Sequence, residues 1–194
     1  MACNSKVFVL SALGVTALLL SPAGTQTAAA QMTLTSAEIT EGSVAKDEQV
    51  ANVFGCKGGN VSPSLKWTGA PADTKSFAIN VYDPDAPTGS GFWHWVVFNI
   101  PPSVTSLPKD AGDVKKNLMP AGAIQSRTDF GFDGYGGMCP PQGDKPHHYT
   151  LTVYAVDEDK LQFAKDDQIS PAVVGFELHF HSKAVGKLNW TYSR

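Results

Sequence analysis

Three short segments hold most of the polar residues that could do chemistry. In Asp83-Pro84-Asp85-Ala86-Pro87 two carboxylates sit between prolines. Each proline fixes its own φ and pushes its predecessor into an extended conformation, so the loop is stiff. Read alone, the segment also fits a turn with solvated aspartates. In Gly91-Phe92-Trp93-His94-Trp95 a histidine lies between tryptophans where an apolar strand begins. Its pKa would respond to a nearby carboxylate, and pairing of its strand with the Asp83/Asp85 segment would supply one. Without that pairing it reads as a structural histidine.

The third segment is Gly136-Gly137-Met138-Cys139-Pro140-Pro141, followed by Pro146-His147-His148-Tyr149. The glycines would let backbone N–H groups converge on an anion, and a surface turn is the plainer alternative. No Lys-Ser/Thr follows them, so this is not a nucleotide P-loop. In a strand His147 and Tyr149 share a face while His148 points the other way. Rival chemistries fare worse. Gly89-Ser90-Gly91 is too short for a nucleophile elbow, and a thiolate at Cys139 would be removed by a disulfide. His94, His147 and an aspartate are acceptable zinc ligand types, but the usual zinc spacings are absent. We expect no metal and no cofactor.

These segments must be held by sheet. Residues 32–37, 77–82 and 149–156 alternate with period two, and 93–100 is an almost continuous aromatic and β-branched run suited to a doubly buried central strand. Ser170-Pro171 is a helix start signal. From there to Ser182 the pattern also alternates like a strand, through Val174, Phe176, Leu178 and Phe180; we expect helix, with His179, Glu177 and His181 on its face. Leu188 to Tyr192 is expected to return as a short strand.

The N-terminus has Lys6, an apolar run over residues 7–20, and small residues ending at Ala30. This describes a secretory signal peptide, with cleavage after Ala30; the run is short for a bilayer span, although a retained anchor is the alternative. Residues 31–194 would then form a single domain, large enough for a core of its own. Without Lys6 the balance is 14 basic against 18 acidic residues, so nucleic acid and anionic surfaces are poor partners. No later stretch is long enough to span a membrane. Cys56 and Cys139 remain; export favours one disulfide, against two buried thiols or half a metal site.

Taken together, Tyr82-Asp83-Pro84-Asp85-Ala86-Pro87, Trp93-His94-Trp95-Val96-Val97-Phe98-Asn99, the segment from Gly136 to Pro141 and His147-His148-Tyr149 resemble the phosphatidylethanolamine-binding (Raf kinase inhibitor-like) family. Thr88-Gly89-Ser90-Gly91, Arg127-Thr128-Asp129-Phe130-Gly131 and Val174-Gly175-Phe176 resemble its bacterial branch. The resemblance implies a mainly β fold, a large antiparallel sheet packed against a smaller one with a few short helices. It also implies a shallow pocket for phosphate-like or carboxylate groups, lined by Asp83, Asp85, His94, Pro140, His147 and Tyr149. Many eukaryotic members carry a second histidine at the position of Trp93 and an arginine at that of His148, so kinase regulation is not carried over.

The expectation is an exported, non-enzymatic protein that binds a small anionic ligand such as phosphate or a phosphoethanolamine headgroup. The alternative is a hydrolase of phospho- or acyl-esters using an Asp–His pair as base. A protein partner and a homodimer are both compatible with the sequence. Two aspartates should repel an anion. The expected resolution has the N–H groups of Gly136, Gly137 and their neighbours hold the phosphate with His147 and Tyr149. The Asp loop would then orient His94 or receive an ammonium group.

Overall fold

The computed structural model describes residues 30–164 and 169–194; the expected signal peptide lies outside them, apart from Ala30. In chain order the strands are β1 (Ala30–Gln31), β2 (Thr33–Thr35), β3 (Ser43–Val44), β4 (Leu65–Thr68), β5 (Ser76–Asp83), β6 (Phe92–Ile100), β7 (Ser106–Leu107), β8 (Ile124–Gln125), β9 (His147–Val156) and β10 (Ser182–Tyr192). Helix α1 (Pro171–His181) lies between β9 and β10, and two short 3₁₀ turns cover Asp47–Gln49 and Val114–Lys116. The large sheet runs β1-β10-β9-β5-β6-β8 with β3 added to β10, and the small sheet runs β2-β4-β7. The long strands pair antiparallel, while the two-residue β1 and β3 join β10 in parallel.

Both faces of the central strands are covered. Phe77, Ile79, Val81, Trp95 and Val97 pack with Leu34, Leu65 and Trp67 of the small sheet. Ala78, Val96 and Phe98 pack instead under Val174 and Leu178 of α1. Thus β5, which alternates in sequence like a half-exposed strand, is buried along nearly its whole length. The β6 strand is doubly buried as expected, but β9 and β5 take the middle of the sheet.

The helix forms because Ser170 caps it, its Oγ accepting from the Val173 N–H at 3.3 Å, with Pro171 opening the first turn. The alternation that mimicked a strand separates two helix faces: Val174 and Leu178, one turn apart, are buried, whereas Phe176 and Phe180 are exposed. Burying Val174 and Leu178 contributes about 1.5–3 kcal/mol each, which fixes α1 against β6 and β9. The last strand is longer than the expected Leu188–Tyr192 and begins at Ser182. Its inward positions start with Ala184 and Gly186, whose small side chains give little hydrophobic signal.

Candidate ligand-binding cleft

The hairpin of β5 and β6 sets Asp83 opposite Phe92, bringing the aspartate loop beside His94. On the other side β9 pairs with β5, placing Tyr149 and His147 at the same end of the sheet. The resulting cleft has a volume of about 210 Å³. Five sequence-derived candidates line it: Asp83, His94, Pro140, His147 and Tyr149. Three do not: Asp85, Gly136 and Gly137.

Asp83 is occupied on both oxygens. Its Oδ1 accepts from the N–H groups of Asp85 (2.8 Å) and Ala86 (3.1 Å), closing the turn that the prolines stiffen. Its Oδ2 is 2.8 Å from His147 Nδ1, and the two side chains are only 3% and 4% exposed. Burial pulls the His147 pKa down, but the hydrogen bond and charge of Asp83, and then those of Asp144, outweigh it and raise it above the ordinary histidine value. The cationic form of His147 is therefore favoured by the Asp83 carboxylate. Asp83 bonds to His147 and acts on His94 through its charge alone. Its pairing with His147 also reduces the repulsion that an isolated pair of aspartates would exert on an anion.

Asp85 faces away from the cleft. Its Oδ2 accepts from both the backbone N–H and the imidazole Nδ1 of His148, each at 2.7 Å, and these bonds lower its pKa. His148 is exposed and turned opposite to His147 and Tyr149, as strand geometry requires.

His94 is anchored by the glycine segment in an unexpected sense. Its Nδ1 lies 2.9 Å from the Gly136 carbonyl and 3.1 Å from that of Gly137. The Gly136 N–H donates to the His94 carbonyl at 2.8 Å, and the Gly137 N–H donates to Asn60 Oδ1 at 2.8 Å. Neither N–H is left for an anion, so the expected nest at these two glycines is corrected. The glycines serve close packing instead: a Cβ at 136 would lie 2.2 Å from the Phe130 ring, and one at 137 would lie 2.2 Å from the Gln49 carbonyl oxygen.

Two carbonyls can only accept, so Nδ1 carries the proton and Nε2 presents a lone pair. Burial holds the His94 pKa below the ordinary value; the Gly136 carbonyl and the Asp83 charge oppose this without outweighing it. Tyr149 stands edge-on to His94, with ring centroids 5.3 Å apart. Its hydroxyl is buried and makes no hydrogen bond of ordinary geometry among the described residues. Burial, and then the charge of Asp83 and a weak hydrogen bond toward it, raise its pKa, so it remains a donor.

Several wall residues were not singled out from the sequence. Phe54 and Phe130 stack at the mouth with centroids 5.6 Å apart, and Phe54 is 67% exposed. Cys139 lines the cleft and is disulfide-bonded to Cys56, the pairing that export chemistry favoured. Arg194 Nε donates to the Pro140 carbonyl at 2.6 Å, bracing the same wall. Phe54 and Arg194 lie in no segment singled out above, whereas Phe130 and Cys139 fall in segments quoted for the family resemblance but were given no part in the pocket. His94 and His147 each commit Nδ1 to a protein acceptor. Among the described residues, Asp157, Glu158 and His181 form a grouping of metal-ligand type outside the cleft lining. Among them, too, no helix is long and apolar enough to cross a membrane.

A sequence profile for the phosphatidylethanolamine-binding protein family matches residues 35–193. The chain is 51% identical over 164 residues to the UPF0098 protein YbcL of Escherichia coli, covering 84% of this chain and 88% of that one. It is 44% identical over 162 residues to the UPF0098 protein YbhB of the same organism, covering 84% of this chain and all of YbhB. The crystal structure of E. coli YbcL, described as a new member of the mammalian PEBP family, superposes with a TM-score of 0.81 at 49% identity, covering 85% and 99% of the two chains. A putative phosphatidylethanolamine-binding protein homologue from Chlamydia trachomatis superposes with a TM-score of 0.68 at 27% identity, covering 84% and 98%.

Proposed function

The chain belongs to the phosphatidylethanolamine-binding protein family, and from that premise we propose that it is a non-enzymatic protein whose cleft binds a small ligand through a phosphate- or carboxylate-type group. The observation that carries this reading is the Tyr149 hydroxyl, buried in the cleft beside His94 with no hydrogen bond of ordinary geometry and only the Asp83 carboxylate near enough to attract it weakly. A buried hydroxyl without a partner costs free energy, and an oxygen acceptor entering the cleft would relieve that cost. The cationic His147 lies in the same wall and offsets the charge of Asp83.

Binding is favoured over turnover by how the reactive groups are committed. The hydrolase alternative needs the Asp–His pair to act as a base; Asp83 and His147 have that form, but the His147 Nε2 is turned toward Asp144 at 3.4 Å. The Thr88 hydroxyl in the cleft wall donates to the Gly91 carbonyl, and Cys139 is in a disulfide. Esterase or phosphatase activity lost on His94→Ala would reverse this preference. Tyr149→Phe should weaken phosphate and phosphoethanolamine binding about 10-fold to 100-fold, the worth of a hydrogen bond to a charged group. Its thermal midpoint should shift little, because the hydroxyl makes no hydrogen bond of ordinary geometry and loses only a weak attraction to Asp83. Calorimetric titration with melting curves checks both, and unchanged affinity would remove Tyr149 from the site.

The reading includes export. It is supported by the Lys6, apolar and small-residue pattern of the first 30 residues and by the Cys56–Cys139 disulfide, which suits an oxidising compartment. Intact mass of the exported protein should correspond to a chain starting at Gln31, and retention of Lys6 would overturn it. Removal of residues 1–30 leaves Gln31 paired with Val185.

A further inference from the structure

We infer that the cleft takes up an oxyacid group together with one proton, shared between that group and His94 Nε2. This rests on the binding reading above and adds which protonation state the site selects. The geometry behind it is the anchoring of Nδ1 by two carbonyl oxygens, at 2.9 and 3.1 Å. That anchoring fixes the neutral tautomer and leaves Nε2 as the edge of the ring without a hydrogen-bond partner among the described residues. A fully ionised oxygen set against this nitrogen opposes lone pair to lone pair. One proton between them makes a charge-assisted hydrogen bond instead. Either the ligand brings the proton, as a carboxylic acid or a phosphate monoanion, or the imidazole takes one from solution as a fully ionised group arrives.

The charged and titratable groups facing His94 are few. Asp83 at the end of β5 is neutralised by His147 of β9, and Tyr149 of β9 presents a neutral hydroxyl. Asp129, from the loop after β8, already accepts from the Trp93 N–H at 2.8 Å. The 136–137 segment offers only carbonyls to the ring. Burial keeps the empty imidazole neutral below its ordinary pKa range. The ligand group itself is therefore the partner that would hold a proton on Nε2.

Sulfate is the decisive probe because it carries no proton near neutrality, and inorganic phosphate is its counterpart. Calorimetry in two buffers of different ionisation enthalpy should show about one proton taken up per sulfate bound. Sulfate affinity should fall about tenfold per pH unit across the range in which the empty imidazole is neutral and the sulfate-bound one is protonated. That range begins below the ordinary histidine value, because burial lowers the empty pKa. In His94→Gln an amide N–H can donate permanently, so proton uptake should drop to about zero and the pH slope should vanish. Should that variant fail to fold, ¹⁵N imidazole spectra of the unaltered protein decide the matter. Saturating sulfate should convert His94 Nε2 from unprotonated to protonated while His147 stays unchanged. Anion binding with no proton exchange, or with Nε2 unprotonated in the complex, would overturn the inference and leave the binding reading standing. Failure of both anions to bind at any pH would remove both.

Discussion

Replacing Asp83 with alanine should cost about 3–5 kcal/mol of folding stability, the range seen when one partner of a buried ion pair is removed. The variant loses three hydrogen bonds at once: those from the Asp85 and Ala86 N–H groups and the one from His147 Nδ1. It also strands an imidazole that is only 4% exposed. The cost should depend on pH with a definite sign. A histidine whose pKa is raised on folding contributes stability that is complete below its unfolded value, near 6.5, and is lost as pH rises through the folded value. The gap between the parent protein and Asp83→Ala should therefore be widest below pH ~6.5 and should narrow above it. His94 works in the opposite direction. Its lowered pKa contributes stability that is complete above about 6.5 and lost as pH falls through the folded value. Urea denaturation of both proteins across this window is the measurement. A gap that widens at alkaline pH would contradict the assignment of His147 as the cation.

Reducing the Cys56–Cys139 bridge should be nearly as damaging. The two residues are 83 positions apart, and chain-entropy reasoning for a loop of that length gives roughly 4 kcal/mol. For a domain whose whole stability is about 5–15 kcal/mol, that is a large fraction. The loss should also reach the cleft, because Cys139 and Pro140 line one wall and Phe54, two residues from Cys56, lines the mouth. Denaturation with and without reductant, alongside a phosphate titration, tests both effects. A reduced protein that keeps its midpoint and its affinity would show that the bridge neither stabilises the fold nor shapes the cleft.

The strands that carry the site were legible because they are long and rich in β-branched and aromatic residues. The run 93–100 became the doubly buried β6 and the alternation after His147 became β9 in the middle of the large sheet. The residues lost to sequence reasoning are those whose partners come from afar. Asp83 and His147 are separated by 64 positions and Asp85 and His148 by 63. The two aspartates of one pentapeptide consequently serve different histidines on opposite faces of β9. No feature of the pentapeptide distinguishes them.

The amino-acid sequence by itself indicated the long strands, a helix start at Ser170-Pro171, a stiff aspartate loop and, through its motifs taken together, the family. Local chemistry suffices for these: period-two alternation makes strand, a serine before proline starts a helix, and a proline-stiffened segment between two strands makes a loop. Only the tertiary structure decided which acid meets which base, and which way the glycine backbone points. A strand's period tells which side chains share a face, but not which neighbouring strand supplies their partners. The glycines show the same limit. Their sequence allows either an anion-binding nest or close packing, and the nearness of Phe130 and the Gln49 carbonyl settled it for packing. With the N–H groups turned to Asn60 and the His94 carbonyl, and the Gly136 and Gly137 carbonyls turned to the ring, the tautomer of His94 followed.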